Sequence, residues 1–413
     1  MTRPAPAVNP TRADRSWPPA VIAGAYQTGV LGVRGLKRRG VDAVCFDSNP
    51  RHPGFRSIYG PARLCPNPDA DGEAWVSFML ELASSLGRKA VLIPSSDQFV
   101  TAIARHADRL QDAFILSPGL PLQALLADKQ TQYRLAATHG MPMPVTREVS
   151  NAEEASGFAR EAAFPCLLKP MHFREWQRFA PGHPLYHQKI AVARSPDDLI
   201  AFYRLAAPVT PRMIAQEIIE GPDTAKRVYL SVYDIRSRRI ATAMFRELRC
   251  DPLGFGPATV TEPIVDEDTD RVCDQFLRAI EFVGICEIEM KRDSRDGRVK
   301  LIEANPRLSG GGDAAPYAGV DICWLHYLDL IGVEVAPVGP DTRDFRHIVL
   351  HADGSAVPAY WRAGLLSFAD VLRSYRPPLA FYDLDFQDWR ASLRTLKTTA
   401  GALVRGVFRK QPT

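Results

Sequence analysis

The stretch Gly284–Gly312, GICEIEMKRDSRDGRVKLIEANPRLSGGG, decides the reading of this 413-residue chain. Two strand-like runs, ICEIEM and VKLIEA, flank RDSRDGR, which carries an Asp-Gly turn signal, so the segment predicts a hairpin. Side chains on a strand alternate between faces, so Glu303, Asn305 and Arg307 share one. Pairing the two runs brings Glu289 beside Glu303. The resulting patch holds two carboxylates, an amide oxygen and a guanidinium. Hard oxygen ligands of this kind suit Mg2+, which keeps several waters and is shared with substrate phosphates; Mn2+ is the alternative ion. The arginine suits a phosphoryl oxygen or an acyl phosphate. The competing reading is an acidic sheet face turned to solvent. Asn-Pro-Arg followed by Leu-Ser-Gly-Gly-Gly weighs against it, because the proline ends the ladder and glycines let backbone N–H groups approach a ligand.

The bulk composition is that of an ordinary globular chain, 46% hydrophobic and 24% charged. Its length allows two or three domains. Fifty-one basic residues stand against 47 acidic ones, for a net charge of +4. Nothing in that balance draws the chain toward nucleic acid. Seven scattered cysteines (45, 65, 166, 250, 273, 286 and 323), with no CxxC, read as reduced thiols of a cytoplasmic protein. The first residues, MTRPAPAVNPTRADRSWPP, have no apolar core and read as a disordered tail rather than a signal peptide. No apolar run approaches the length of a membrane span.

Working outward, AVIAGAY (20–26), the helical spacing that ends at Gly40, and VDAVCFDSN (41–49) form a βαβ opening. An amphipathic helix over 73–87 and a strand over 89–97 continue it as an open parallel sheet. Gly24, Gly29 and Gly32 near the first turn do not make G-x-G-x-x-G, and no G-x-x-x-x-G-K-[ST] occurs, so neither phosphate motif is present. Helices over 127–140 and 152–163, a strand over 165–170, a strand ending in a turn over 211–223, and a hairpin of 227–234 with 239–249 predict an α+β region. A helix over 269–284 feeds the acidic hairpin, and DICWLHYLDLIG (321–332) closes the core. After Val335 the texture turns linker-like, then rich in Arg and aromatics.

IEANPRLSGG resembles the metal-binding strand of ATP-grasp enzymes, and GICEIEM resembles its hairpin partner. Two further segments match in the expected order. DKQTQYRLAATHGMPMP and FPCLLKP carry Lys129 and Lys169, which by this resemblance hold the nucleotide phosphates. AQEIIEGPD is similar to the hinge of these enzymes, which implies that Gln216, Glu217, Ile218 and Ile219 line the adenine and Asp223 takes the ribose. The opening TGVLGVRGLKRRGVDAVCFDSNPRHPGFRS looks like the first domain of carboxylate–amine ligase-like ATP-grasp proteins. The resemblance spans about residues 20–335 and implies a mixed α/β and α+β chain. A tail (1–17) precedes a Rossmann-like pre-ATP-grasp domain (18–126). An ATP-grasp domain of two α+β subdomains (127–335) and a C-terminal extension (336–413) follow.

The implied enzyme uses ATP to phosphorylate a small-molecule carboxylate, with Mg2+ on Glu289, Glu303 and Asn305. An amine then displaces phosphate from the acyl phosphate, so ADP and phosphate are released. Arg307 would stabilise the anionic intermediate, with backbone donors of Ser309–Gly312. Arg246 and Arg249, three apart on a strand, face opposite sides, so one of them points to the transferred phosphate. A carboxylase-type acyl-phosphate former and a non-catalytic nucleotide-binding protein are the alternatives. The second predicts broken metal ligands, and none is broken. Homo-oligomers are compatible with the sequence.

Three features stand outside this pattern. Where such enzymes carry a Gly/Ser loop over the phosphates, this chain has MHFREWQRFAPGHPLYHQK (171–189), in which Arg174, Arg178 or Lys189 would substitute and which reads as a lid. Its His172, His183 and His187 lack zinc-site spacing. The segment 392–410 has five Lys or Arg and no acid, with a helical apolar stripe. It suits either its own domain or an anionic membrane surface.

Overall fold

The computed structural model describes residues 9–60, 62–171, 175–186, 188, 190–340, 343–385 and 396. They form two compact units. One takes in the described residues up to Ala127, then Pro222–Met290 and those from Glu303 on; the other is Asp128–Gly221 with Lys291–Ile302.

The first unit opens with β1 (Ala20–Ala23), β2 (Ala43–Asp47), β3 (Arg63–Leu64), β4 (Ala90–Pro94) and β5 (Phe114–Ile115). They make a wholly parallel sheet in the order β3-β2-β1-β4-β5. AVIA of β1 and AVLIP of β4 are buried along their whole length. Runs of this kind need cover on both faces. Helices Gln27–Arg38 and Gly72–Leu86 supply part of it; Asp71 caps the second by accepting from the Ala74 amide at 2.9 Å. Gly24 makes the first strand–helix turn at φ +118°, and a Cβ there would stand 2.4 Å from Ser95 Oγ. Only glycine fits both conditions. The expected Rossmann-like opening is therefore present, without a dinucleotide fingerprint.

The second unit is built on β6 (Thr146–Val149), β7 (Cys166–Pro170), β8 (Ala191–Ala193) and β9 (Met213–Glu217). All pairs are antiparallel, in the order β6-β9-β7-β8. Phe158, Leu168, Leu199 and Tyr203 pack into its core. Trp176, Phe179 and Leu185 of the 171–189 loop join them, and Trp176 Nε1 donates to Thr210 Oγ1 at 3.1 Å. The described part of the loop is thus anchored by buried aromatic area, not poised as a lid. His172, Arg174, His187 and Lys189 lie outside the described residues.

The remaining strands are β10 (Lys226–Tyr233), β11 (Arg239–Cys250), β12 (Ala258–Pro263), β13 (Gly284–Arg292), β14 (Val299–Asn305), β15 (Arg346–Ile348) and β16 (Leu379–Phe381). Their order is β14-β13-β10-β11-β12-β15-β16. The acidic hairpin is the edge pair β13–β14, as its turn signal predicts. The linker-like stretch after Val335 differs from expectation: β15 pairs antiparallel with β12 and parallel with β16. Val260 and His347 are buried there, so the C-terminal segment extends the sheet. No described helix is long and apolar enough to cross a membrane. All seven cysteines are free and buried.

Candidate active site

β13 and β14 carry the centre of the site, within the first unit. Glu287 and Glu289 are two residues apart on β13, so they share a face. Glu287 is buried and accepts from Asn305 Nδ2 at 3.4 Å and from the Gly311 amide at 3.3 Å. A Cβ on Gly311 would stand 2.6 Å from the same carboxylate, so this approach requires glycine. Arg307 bridges outward. Its Nε reaches Asp97 Oδ1 at 2.7 Å, and its Nη2 reaches Asp97 Oδ2 at 3.2 Å and Asn305 Oδ1 at 3.0 Å.

Lys226 at the start of β10, Glu247 on β11 and Asp223 in the turn before β10 extend the group. Lys226 Nζ lies 3.2 Å from Glu247, 3.3 Å from Asp223 and 3.4 Å from Cys250 Sγ. Burial is the main cause that lifts Glu247 to about 7, against the pull of Lys226. Glu289 is driven well above the ordinary carboxylate range by burial, then by the charges of Glu287, Glu303 and Glu247. Lys226 does not bring it down. Carboxylates crowded to this degree leave room for further positive charge, and their hard oxygens fit a divalent ion such as Mg2+. Among the described residues no group of three or more His, Cys, Asp or Glu is already arranged around a metal position. Asn305, one of the expected ligands, has its carbonyl oxygen engaged by Arg307. His183 stacks on Phe179 at 3.9 Å, and its Nδ1 accepts from the Leu185 amide.

In the second unit, Lys129 opens the helix Lys129–Thr138, capped by Asp128. Lys169 lies on β7 opposite Ile214, with Nζ 3.2 Å from Tyr133 Oη and 3.3 Å from Gln216 Oε1. Gln216 is held in turn by Thr146 Oγ1 at 2.8 Å. Lys169 and Gln216, expected at the phosphates and at the adenine respectively, are thus in direct contact. The Glu217 carboxylate accepts the Ala163 amide at 2.6 Å. Ile218 donates to the Pro165 carbonyl at 3.0 Å and accepts from Arg295 at 3.2 Å, while Ile219 is buried.

Three expectations need correction. The side chain of Asp223 is 7% exposed and takes hydrogen bonds from Tyr360 Oη and the Gly254 amide. Burial pushes its carboxyl up, but Tyr360 and Lys226 outweigh that and hold it below the ordinary value. A ribose would have to displace them. Arg246 and Arg249 do not face opposite sides. They stand opposite Glu262 and Val260, alternate residues of β12, because the register shifts between Glu247 and Arg249. Arg246 pairs with Glu262. Arg249 is buried, with Nε and Nη2 each 2.9 Å from Asp353 and Nη1 2.7 Å from Ser374. It braces the C-terminal segment and does not reach the carboxylate group. Finally, the Gly311 amide is taken by Glu287 and the Gly312 amide by Ser309 O, so these are not idle oxyanion donors.

Sequence reasoning passed over Glu247, Lys226, Asp97 and Tyr360. Glu247 and Lys226 are a cross-strand pair, since Arg227 faces Arg246 one step on. That charge pairing across the 227–249 hairpin was the available signal.

No protein-family model matches the chain. It is 28% identical over 256 residues to D-aspartate ligase of Enterococcus faecium, covering 59% of this chain and 60% of that one. It is 24% identical over 290 residues to the carbamoyl phosphate synthase large chain of Thermotoga neapolitana, covering 68% of this chain and 24% of that one. The chain thus spans less than two thirds of either relative. Its fold matches that of N5-carboxyaminoimidazole ribonucleotide synthetase in its ADP complex, with TM-score 0.62 and 15% identity over 87% of this chain and 86% of that one. In sequence this chain is thus similar to two ligases and in fold to a third enzyme, and these likenesses agree with the ATP-grasp resemblance carried by its motifs.

Proposed function

We propose that the protein is an ATP-dependent carboxylate–amine ligase that works through an acyl phosphate. The observation that carries this reading is the carboxylate group of buried Glu247 and Glu287 with half-buried Glu289 and Glu303, set with Arg307 and Lys226. Such a group has little use in a purely structural role, because its members repel one another. Glu289 and Glu303 would hold the divalent ion, with Asn305 turning its carbonyl oxygen from Arg307 to join them. When bound, that ion neutralises charge on the transferring phosphoryl group.

Lys129 and Lys169 hold the nucleotide phosphates as compact cations. A substrate carboxylate oxygen attacks the γ-phosphorus and ADP leaves. Arg307, kept in position by Asp97, faces the anionic acyl phosphate. An amine attacks the acyl carbon, phosphate departs with the carboxylate oxygen, and the amine loses a proton. The likeness to D-aspartate ligase makes an amino acid the first amine to try. The test is a screen for ADP release with pooled carboxylates and amines, followed by mass spectrometry of the product. Amine-dependent ADP release with a new amide supports the reading. ATP turnover that yields no amide with any pool would overturn it.

A further inference from the structure

The carboxyl edge of the parallel sheet carries an Asp–His pair outside the carboxylate group. Asp47 ends β2 and is buried. It accepts the Ala25 amide at 2.7 Å and the Asn49 amide at 2.9 Å, which holds the turns after β1 and β2. His52 Nδ1 lies 2.7 Å from the same carboxylate. An ionised carboxylate can only accept, so Nδ1 carries the N–H. The neutral ring then has its lone pair on Nε2. The two amides already brace the turns, so the imidazole is not needed for that. His52 is half-buried, and among the described residues none bonds its Nε2. Exposed Tyr26 stands edge-on to the ring, with centroids 5.5 Å apart.

Backbone hydrogen bonds tie this pair to Arg307 along one sheet edge. The Gly24 amide donates to Phe46 O at 2.9 Å, the Ser95 amide to Ala23 O at 2.9 Å, and the Leu308 amide to Pro94 O at 3.1 Å. β2, β1 and β4 are neighbours in that order. The ends of β2 and β4 therefore stand two strand spacings, roughly 10 Å, apart. Open α/β sheets take ligands outside the carboxyl ends of their strands, where the strand order reverses. Here the order reverses between β1 and β4. The span from the Asp47–His52 pair to Arg307 is on the scale of an acyl phosphate with an amine against its acyl carbon.

We infer that His52, oriented by Asp47, is the base for the amine half-reaction; this rests on the ligase reading proposed for the same site. Nε2 takes one proton from the substrate ammonium and frees the nitrogen lone pair. That pair bonds the acyl carbon as the acyl C–O bond breaks. Phosphate leaves with the electrons of the broken bond, and the second N–H proton ends on it. Asp47 faces the imidazolium that forms, as an orienting carboxylate does in other Asp–His pairs. The test uses the full chain with ATP, pooled carboxylates, and either hydroxylamine or pooled amino acids. Hydroxylamine is neutral at pH 7 and has no ammonium proton to lose, so it captures an acyl phosphate without a base. His52→Asn keeps a donor for Asp47 and removes the base. It should lower amide formation from amino acids by about a hundredfold or more, while hydroxamate formation and the melting temperature stay at wild-type values. Equal loss with both nucleophiles, or loss with neither, overturns the inference and leaves the ligase reading standing. No hydroxamate from the wild type overturns both.

Discussion

The hairpin β13–β14 carries acid at both ends, and the two ends are handled in opposite ways. At the turn, Asp293 is fully buried and accepts from Arg295 Nε at 3.0 Å, Arg295 Nη2 at 2.7 Å and Lys300 Nζ at 2.7 Å. Burial alone would raise its carboxyl, yet Arg295 and Lys300 hold it far below the ordinary range. At the base, burial and neighbouring carboxylates drive Glu289 up, and Lys226 does not reverse it. The turn is a finished ion cluster. The base keeps crowded acid that its cations do not offset. Acidic residues of one hairpin thus separate into compensated and uncompensated ones by their partners, not by their burial.

The largest expected effect comes from removing a carboxylate at the base. Glu303→Ala should lower ligase turnover by about a thousandfold or more while leaving the melting temperature near wild type, since the role is metal and phosphate binding. Retention of activity would place Glu303 among the structural acids. Next comes a finished pair outside the carboxylate group: Arg249→Met leaves buried Asp353 without its guanidinium, and should cost about 3–5 kcal/mol of stability in urea unfolding. Its folded fraction should keep its kcat, which would separate it from Arg307. Asp293→Asn should cost roughly 2–4 kcal/mol by the same measurement, with activity per folded molecule unchanged.

The smallest effect is a pH slope. Glu247 titrates at about 7 in the folded protein, against an unfolded value of about 4.3. A raised carboxyl gives stability that is present below the unfolded value and is lost as pH rises through the folded one. Metal-free protein should therefore lose roughly 1–2 kcal/mol between pH 5 and pH 8. Glu247→Gln should flatten the slope, as should saturating Mg2+. A metal-free protein more stable at pH 8 than at pH 5 would show that the base is already compensated.

Much of this was legible in the sequence where the signal is local. The βαβ opening follows from apolar runs and glycine turns, and the hairpin from its Asp-Gly turn and strand alternation. Lys169 stands inside an apolar strand between prolines, and the structure sets it beside Gln216. What could not be read depends on distant partners or on register. Arg249 meets Asp353, 104 residues away, and Asp223 meets Tyr360, 137 away. The bulge after Glu247 turns Arg249 to the face of Arg246, and no local motif announces it. Trp176 looked like part of a lid because its core partner Thr210 lies 34 residues on.

The most direct test of the central claim follows the oxygen. A substrate carboxylate labelled with 18O, turned over with ATP and amine, should leave label in the released phosphate, read by 31P NMR, with ADP as the only nucleotide product. Release of AMP and pyrophosphate, or of unlabelled phosphate alongside labelled amide only, would contradict an acyl-phosphate ligase.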